Sequence, residues 1–339
     1  MLTAHATAHS NIALVKYWGK RRGVAPELNL PAVGSLSLTL DALRTETSVA
    51  AGSTDSFTLD GERARDGEGA KVFAHLDHVW ASAGHAGPRP TCAVESTNHF
   101  PTAAGLASSA SGFAALTMAA AAAFEWDASR GTLSTLARMG SGSAARSIFG
   151  GLVRLDLGDN PDGSDCRARR LAQPEDWPLS LVVAQTTVGR KAVGSTGGME
   201  RSRQTSPYFD AWIDASPREL DAAEAAVEAR DLATLGAITE RSCFAMHACM
   251  IATDPPLLYW NGVTVEAIKA CWEARAQGLP AFVTIDAGPH VKALCRPQDA
   301  AALADLLRAV PGVTDVLVCR PGPDASVRTQ PAAHAEVGQ

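Results

Sequence analysis

The second half of the chain alternates strand-type and helix-type segments, and this order constrains the fold more than any other feature. Short apolar runs at 179–185, 281–285 and 314–319 have the length and composition of buried strands. Longer helical patterns separate or flank them at 217–229, 232–251, 263–277 and 297–310. Strands and helices mixed on this scale predict an α+β architecture, in which helices pack on a sheet.

The first half combines short strands with glycine-rich turns. Strict alternation at 35–40 predicts a half-buried strand, and weaker strands are expected at 45–50, 57–59 and 91–95. Helices are predicted at 71–83, 108–124, 132–139 and 144–149, and a loop near a domain boundary at 156–176. A chain of 339 residues exceeds what one core usually supports. We therefore predict domains at 1–178 and 179–324, followed by a flexible tail at 325–339.

Composition excludes several classes of function. Hydrophobic residues make up 46% and charged residues 19%, as in packed globular proteins, and the net charge of −6 leaves no basic surplus for a nucleic-acid binder. The longest apolar stretch, 113–124, is too short to span a membrane, and the N-terminus lacks the pattern of a signal peptide. Seven cysteines without Cys-x-x-Cys spacing favour reduced thiols in the cytoplasm over disulfides or a zinc site.

The segment 101–112 places glycine and small hydroxyl residues directly before a helix. Such a loop can bring backbone N–H groups and the helix N-terminus to a phosphate. It has neither the Gly-Lys-Ser/Thr of a Walker A loop nor a Gly-x-Gly-x-x-Gly turn. Composition alone supports equally a small-residue helix that packs closely on a neighbour.

A cationic segment lies near the N-terminus of this acidic chain. It holds four cations beside two aromatic residues: Lys16, Lys20, Arg21 and Arg22 with Tyr17 and Trp18. Such a run usually forms a solvated surface. Two exposed aromatic side chains argue for a pocket instead, so we interpret the segment as a clamp for a polyanionic substrate.

Two further segments carry candidate chemistry. A second glycine- and serine-rich turn at 140–151 places Arg146 one turn into a short helix, although an ordinary turn explains this pattern equally well. Asp286 ends an apolar strand and precedes Ala-Gly-Pro, a rigid position suited to a general base. The alternative for Asp286 is a carboxylate that merely caps a turn.

Five ordered motifs together resemble the mevalonate diphosphate decarboxylase family of the GHMP kinase superfamily. They are Lys16-Tyr-Trp-Gly-Lys20, Phe100-Pro-Thr-Ala-Ala-Gly-Leu-Ala-Ser-Ser-Ala110, Gly140-Ser-Gly-Ser-Ala-Ala-Arg-Ser147, Ser195-Thr-Gly-Gly-Met199 and Asp286-Ala-Gly-Pro289, in a match that runs from about 8 to 323. The resemblance implies a two-domain GHMP-kinase-like fold. Its N-terminal domain would be ribosomal-protein-S5-like and its C-terminal domain ferredoxin-like, with the active site between them.

The resemblance also implies a reaction and its catalytic residues. Mevalonate 5-diphosphate and ATP, with Mg²⁺, would become isopentenyl diphosphate, ADP, phosphate and carbon dioxide. Asp286 would assist phosphoryl transfer to the tertiary hydroxyl, Lys16 would keep Asp286 ionised, and Arg146 would hold the substrate carboxylate. A cytoplasmic homodimer is expected, with no nucleic-acid or membrane partner.

Ligand-binding residues are carried over from the same motifs. Those expected to contact the substrate are Tyr17, Lys20, Ser141, Ser143, Arg146, Ser195 and Thr196. Those expected to contact the nucleotide are Ser96, Asn98, Gly105, Leu106, Ala107, Ser108 and Ser109, and Ser109 is also the candidate ligand of Mg²⁺.

Three other functions compete with this interpretation: a phosphomevalonate decarboxylase, a mevalonate 3-kinase, and a non-catalytic relative that binds nucleotide. A pure 3-kinase is expected to lose Asp286 or Lys16, and a binding-only relative to lose at least one motif; the chain retains them all. Thr196 stands where some bacterial members carry arginine, and Val33-Gly34 replaces more polar residues. These departures leave the choice between monophosphate and diphosphate open.

Overall fold

The computed structural model describes residues 1–64, 67–100, 108–187 and 193–331. The strands are β1 (Thr3–Val15), β2 (Ser35–Ala51), β3 (Ser56–Leu59), β4 (Glu62–Arg63), β5 (Cys92–Asn98), β6 (Leu152–Leu155), β7 (Ala168–Ala172), β8 (Ser180–Gln185), β9 (Phe282–Thr284), β10 (Val291–Cys295), β11 (Asp315–Cys319) and β12 (Ser326–Gln330). The helices are α1 (Glu68–Ser82), α2 (Ser108–Ala123), α3 (Arg130–Gly140), α4 (Ser195–Thr205), α5 (Phe209–Glu228), α6 (Leu232–Ile251), α7 (Gly262–Ala276) and α8 (Ala300–Arg308). No helix in the described ranges combines the length and apolar character needed to cross a membrane.

The larger sheet belongs mainly to the first half of the chain. Its strands run in the order β12-β1-β2-β5-β3-β4, and β6 extends β2 and carries β7 at its other edge. Alanines of α2 are buried against β1 and β2, together with side chains of α1 and α3. Small side chains bring α2 close to the sheet, so the alanine-rich helix does serve close packing.

The smaller sheet has the order β11-β8-β10-β9, and all its pairs are antiparallel. Apolar side chains of α7 and α8 cover one face. The opposite face shares one core with α5, α6 and the strands β1 and β2. The two halves are therefore joined by a continuous apolar core, which fixes the cleft between them.

Most of the predicted elements are confirmed within a few residues. They include the helices at 71–83, 108–124, 132–139, 232–251 and 263–277 and the strands at 179–185, 281–285 and 314–319. The helix expected at 217–229 begins earlier, at Phe209, and contains Pro217 in its interior. The segment 144–149 forms only a three-residue 3-10 helix, Arg146–Ile148. At 297–310, a 3-10 turn, Pro297–Asp299, precedes α8.

The strand at 35–40 is buried on both faces, so the prediction of a half-buried strand is wrong. Ser35, Ser37 and Thr39 are each 0% exposed. Ser35 accepts a hydrogen bond from Arg146, and Thr39 donates one to the carbonyl of Phe149. The polar face of β2 is thus covered by the segment that carries Arg146.

Seven elements were not predicted: β1, β4, β6, β7, β10, α4 and β12. β7 lies inside the segment 156–176, which is therefore not entirely a loop. β12 pairs with β1 from Ser326 opposite Thr7 to Gln330 opposite Thr3, so the flexible tail expected at 325–339 is wrong for 326–330. Residues 332–339 lie outside the described residues. The boundary between domains 1–178 and 179–324 stays a prediction.

Candidate active site

A cavity of about 1250 Å³ lies between the two halves of the chain. Single drug-sized ligands usually occupy roughly 300–1,000 Å³, so this space accommodates two ligands side by side. Among the described residues, its lining holds four cations and two carboxylates, which are Lys16, Lys20, Lys71, Arg146, Glu27 and Asp286. The surplus of cations favours anionic ligands.

Asp286 lines this cavity and lies between two buried ammonium groups. It follows β9 by two residues, and its Oδ1 is 2.7 Å from Nζ of Lys16, the residue after β1. Its Oδ2 is 3.3 Å from Nζ of Lys292 in β10. Both lysine side chains are 1% exposed, whereas that of Asp286 is 26% exposed. The carboxylate is therefore the most exposed of the three groups; Lys16 also lines the cavity, whereas Lys292 does not.

Two opposing effects set the charge of Asp286. Burial alone would raise its pKa, but the charges of Lys16 and Lys292 outweigh burial and hold the pKa well below its usual range. Burial lowers the pKa of Lys292, and repulsion from Lys16 adds to that effect, while Asp286 opposes it. The carboxylate is consequently ionised at neutral pH.

Helix α6 supports the backbone just before Asp286. The amide of Ile285 donates to Sγ of Cys243 at 3.1 Å, and Nε2 of His247 is 3.2 Å from the carbonyl of Ile285. Burial raises the pKa of Cys243 to about 11 and lowers that of His247 to about 3, so both are neutral at physiological pH. A neutral His247 donates this hydrogen bond and fixes the loop without adding charge.

Arg146 lines the cavity although its side chain is almost wholly buried, at 2% exposed. Its Nη1 donates to Ser35 at 2.7 Å, its Nε donates to Oδ1 of Asn11 at 3.1 Å, and its guanidinium lies 5.6 Å from the ring of Tyr17. Burial lowers its pKa to about 10, so it remains charged at neutral pH. Neutral oxygens hold this cation, and no carboxylate pairs with it within the described part of the chain.

Lys20 and Tyr17 form a second polar group on the cavity wall. Nζ of Lys20 donates to the Tyr17 hydroxyl at 2.8 Å and also to Oδ1 of Asn29. Asn29 adopts a left-handed backbone with φ of 51° and donates to the carbonyl of Arg138 at 2.6 Å. This network orients the ammonium of Lys20 toward the cavity.

Half of the predicted cationic clamp lies away from the cavity. Arg21 donates to the carbonyls of Leu157 and Gly158 at 2.5 and 2.8 Å, and Arg22 is 60% exposed beside Asp210. The expectation that both aromatics are exposed is wrong for Trp18, which is 2% exposed. Its indole donates to Ser202 of α4 at 2.9 Å, so it anchors that helix.

Serine hydroxyls connect the start of α2 with the turn before Arg146. Ser109 is 3.2 Å from Ser141, and Ser141 is 3.3 Å from Ser143; with Ser108, all of them line the cavity. A Cβ at Gly140 would lie 2.0 Å from Phe113, and one at Gly142 would lie 2.0 Å from the Tyr17 hydroxyl. These two glycines let the turn pack closely. The predicted nucleotide contacts Gly105, Leu106 and Ala107 lie outside the described residues.

Ser195 and Thr196 begin α4 and line the cavity. They lie on the wall that Trp18 anchors. Ser96 and Asn98 lie elsewhere: Ser96 is 2.9 Å from Thr47, Asn98 accepts from Thr45 at 2.8 Å, and neither lines the cavity. Their expected contact with the nucleotide stays a prediction.

The described residues fit a metal that arrives with a phosphate ligand. No group of three or more His, Cys, Asp or Glu side chains in these ranges could form a protein cage for a metal ion. Mg²⁺ commonly keeps one or two protein ligands and takes the rest from phosphates and water. The hydroxyl of Ser109, at the N-terminus of the 16-residue helix α2, suits such a role.

Several residues of the site were missed by sequence reasoning. Lys292 lies six residues after Asp286 in an apolar strand, a position where a lysine is unusual and could have been noticed. Asn11 and Ser35 reach Arg146 through strand pairing and burial, for which the linear sequence gives no signal.

Comparisons with known proteins match both halves of the chain to the same enzyme family. Residues 8–168 match the diphosphomevalonate decarboxylase-like N-terminal domain, and residues 181–330 match the mevalonate 5-diphosphate decarboxylase C-terminal domain. The diphosphomevalonate decarboxylase of Gibberella zeae is 39% identical over 88% of this chain and 82% of its own length. That of Saccharomyces cerevisiae is 36% identical over 85% and 76%.

Solved structures are similar over nearly the whole chain. The mevalonate diphosphate decarboxylase from Staphylococcus aureus is 33% identical, with a TM-score of 0.89 over 96% of this chain and 98% of that chain. A complex of a protein named MDDEF with MVAPP, AMPPCP and magnesium is 37% identical, with a TM-score of 0.88 over 97% and 99%.

The fold and the cleft between its halves define a two-domain protein of the GHMP-kinase-like class. Matches of this extent make the assignment specific. The chain belongs to the diphosphomevalonate decarboxylase family, and it is accordingly an ATP-dependent carboxy-lyase.

Proposed function

We propose that this chain converts mevalonate 5-diphosphate and ATP into isopentenyl diphosphate, ADP, phosphate and carbon dioxide, with Asp286, Lys16 and Arg146 as its catalytic residues. The observation that carries the proposal is the ionised carboxylate of Asp286, 2.7 Å from Lys16, in a cavity large enough for two anionic ligands. Relatives of this chain are named diphosphomevalonate decarboxylase, and a similar structure holds MVAPP, AMPPCP and magnesium.

Asp286 accepts a hydrogen bond from the tertiary hydroxyl of the substrate. This contact directs the hydroxyl oxygen toward the γ-phosphorus of ATP. Because the pKa of Asp286 is held low, it is a weak base, so orientation is its first task and proton acceptance comes late. Such timing suits a loose phosphoryl-transfer transition state, in which the attacking oxygen gains little charge early. The bond between the γ-phosphorus and ADP breaks as the new phosphate ester forms.

Arg146 holds the substrate carboxylate during the second stage. The 3-phosphate leaves with the C3–O electron pair, the C1–C2 bond breaks, and its electrons form the C2–C3 double bond as carbon dioxide departs. A guanidinium pairs with a carboxylate through two parallel hydrogen bonds, which fixes the bond to be broken. The hydrogen bonds from Arg146 to Ser35 and Asn11 limit the motion of its guanidinium group.

The diphosphate of the substrate would be held by six residues that line the cavity, which are Tyr17, Lys20, Ser141, Ser143, Ser195 and Thr196. The start of α2, with Ser108 and Ser109, offers N–H groups and hydroxyls to the phosphates of ATP. Mg²⁺ would neutralise charge on the transferring phosphoryl group, with Ser109 as its protein ligand.

The test compares substrates of different phosphorylation state. Purified protein is incubated with ATP and mevalonate, its 5-phosphate or its 5-diphosphate, while carbon dioxide and ADP are measured. We expect equal amounts of both products, and kcat/KM at least about tenfold higher for the diphosphate, equivalent to about 1.4 kcal/mol. ADP without carbon dioxide would indicate a 3-kinase, and no ADP from any substrate would indicate a binding-only relative.

The same assay measures the contribution of Lys20 to phosphate recognition. Lys20→Ala should reduce kcat/KM for the diphosphate more than for the monophosphate. Lys269→Ala is the matched control, because Lys269 is 55% exposed on α7 and pairs only with Glu266 among the described residues. A better rate with the monophosphate would favour a phosphomevalonate decarboxylase, and the fold would be unaffected.

We also propose a cytoplasmic homodimer. All seven cysteines are buried and unpaired, as in a reducing compartment. The dimer rests on the family resemblance, and light scattering of the purified protein measures it directly.

A further inference from the structure

Lys292 is a buried cation that the proposed mechanism does not use. It lies in the middle of the smaller sheet, opposite Thr284 of β9 and Val183 of β8. Its side chain is 1% exposed, and its hydrogen bond within the described residues goes to Oδ2 of Asp286 at 3.3 Å. A buried ammonium is costly unless it is paired, so Asp286 is the partner that makes Lys292 tolerable there.

The two lysines of Asp286 differ in their access to ligands. Lys16 lines the cavity, whereas Lys292 is not among the described residues that line it. A phosphate or carboxylate entering the cavity can therefore compete with Asp286 for Lys16. Because Lys292 lies outside the lining, we expect its contact with Oδ2 to persist when a ligand binds.

We infer that Lys292 is a positioning residue, which holds Oδ2 of Asp286 from behind the cavity and keeps the carboxylate ionised and oriented when a ligand engages Lys16. The role of Lys292 in turnover rests on the proposed function, whereas its pairing with Asp286 does not. The two oxygens of Asp286 therefore have different roles. Oδ1 and Lys16 face the reactants, and Oδ2 is held by Lys292, which anchors the carboxylate.

Few groups around Asp286 other than the two lysines can stabilise its negative charge. Those facing it from the packed elements are Lys16 after β1, Lys292 in β10, Cys243 and His247 in α6, and Arg146 in the cavity lining. Cys243 and His247 are neutral, because burial disfavours their charged forms. Arg146 has no hydrogen bond to Asp286 in the described structure, so the two lysines supply the direct contacts.

The test uses Lys292→Met, which removes charge and donor, and Lys292→Gln, which removes charge but retains a donor. For Lys292→Met we expect kcat with mevalonate 5-diphosphate to fall about 10- to 100-fold, less than loss of the base itself. KM for both substrates should change less than about threefold, since Lys292 contacts neither. Lys292→Gln should retain more of kcat at high pH, and Lys269→Met, an exposed lysine of α7, should match the wild type.

The pH profile separates positioning from a purely structural role. Removing a cation beside a carboxylate favours its protonated form, so the acid limb of kcat/KM should move to higher pH in both Lys292 variants. An unchanged kcat and acid limb in a folded Lys292→Met would overturn the inference, since Lys292 would then be a core residue without effect on Asp286.

A double-mutant cycle measured by Tm, with Lys292→Gln, Asp286→Asn and the double variant, does not depend on catalytic activity. If the pair interacts, the double variant should lose less Tm than the sum of the single losses. Additive losses would remove the pairing on which the inference rests, even if Lys292→Met fails to fold. If the wild type releases no carbon dioxide while the cycle shows coupling, the proposed function fails and the Asp286–Lys292 pair stands.

Discussion

At the scale of single residues, the charges of Asp286 and Arg146 are stabilised in opposite ways. Asp286 has two ammonium groups against one carboxylate, and its negative charge is thereby secured. Arg146 has hydroxyl and amide oxygens as partners, and its positive charge stays unneutralised within the described residues. A buried cation without a counter-ion is unfavourable by itself. Binding of a ligand carboxylate would relieve that cost, which supports the proposed role of Arg146 as the anchor for the substrate carboxylate.

Asp286→Asn should abolish carbon dioxide release while ATP still binds. The substitution retains the shape but removes the ionised acceptor for the hydroxyl proton, and loss of such a base usually costs at least about 10²-fold in rate. Product formation and nucleotide binding by calorimetry check the two halves of this expectation. Activity above a tenth of wild type would show that Asp286 is not the base.

Arg146→Lys should weaken kcat/KM by about 1–3 kcal/mol, and Arg146→Met by more. Lysine retains the charge but cannot bridge Ser35, Asn11 and a carboxylate at once. Steady-state kinetics with mevalonate 5-diphosphate measures the loss. Arg241→Lys is the control, because Arg241 is 58% exposed and pairs with Glu219 on the surface. Equal kinetics for all four proteins would place Arg146 outside the reaction.

The sequence predicts these residues unequally, for a physical reason. Asp286, Arg146 and Lys16 lie in local motifs where a turn or strand end presents the side chain. Lys292 approaches Asp286 because β10 pairs with β9, and Ser35 meets Arg146 because β2 is covered on its polar face. Such contacts depend on strand register, which the local pattern around Lys292 or Ser35 does not encode.

At the scale of elements, strands were harder to predict than helices. The helix α6 was predicted with its exact ends, because its apolar pattern runs for 20 residues and Asp231 caps its start. β12 was missed because all five of its side chains are exposed, so its sequence carries no apolar alternation. β1 was missed because alanine, histidine and threonine alternate there with little contrast in hydropathy. Backbone pairing alone places β12 in the sheet.

Removal of β12 should therefore destabilise the fold without altering the cavity. A chain ending at Ala325 should lose about 2–4 kcal/mol of unfolding free energy, since several backbone hydrogen bonds to β1 contribute about 0.5–1.5 kcal/mol each. Urea denaturation measures the change, and kcat at low temperature should stay near wild type. A chain ending at Pro331 retains β12 and is the control; equal midpoints for both truncations would mean that the pairing contributes nothing.

At the scale of the whole molecule, one apolar core and one charged cluster link the two halves. Residues of β1, β2, β8, β10, α5 and α6 share the core, and Lys16 meets Asp286 across the same boundary. The two halves that bound the cleft consequently share packed residues, and the ion pairs of Asp286 contribute to folding as well as to the proposed chemistry.

Asp286 should make the stability of the protein depend on acid pH in a defined direction. Its pKa is lowered on folding from an ordinary value of 3.8, because the lysines outweigh burial. The folded state therefore binds the proton less tightly than the unfolded state, and the stabilisation is present above about pH 4. It is lost as the pH falls below that value toward the folded pKa. The free-energy gap between wild type and Asp286→Asn should accordingly be largest near neutral pH and shrink below pH 4.

The size of this difference in unfolding free energy follows from the groups that lose their partner when asparagine replaces Asp286. Two buried ammonium groups would lose their counter-ion, which for buried pairs costs about 3–5 kcal/mol; we expect about 3 kcal/mol or less, because Asp286 is 26% exposed. Urea denaturation at intervals from pH 7 to pH 2.5 measures the difference between the two proteins and cancels the titration of other carboxylates. Asp305→Asn, at a carboxylate 79% exposed on α8, should differ from wild type by less than about 0.5 kcal/mol at neutral pH. A free-energy gap for Asp286→Asn that stays constant to pH 2.5 would contradict the pairing. It would mean that Asp286 has the same pKa in the folded and unfolded states, because only a lowered folded pKa makes the gap shrink in this pH range.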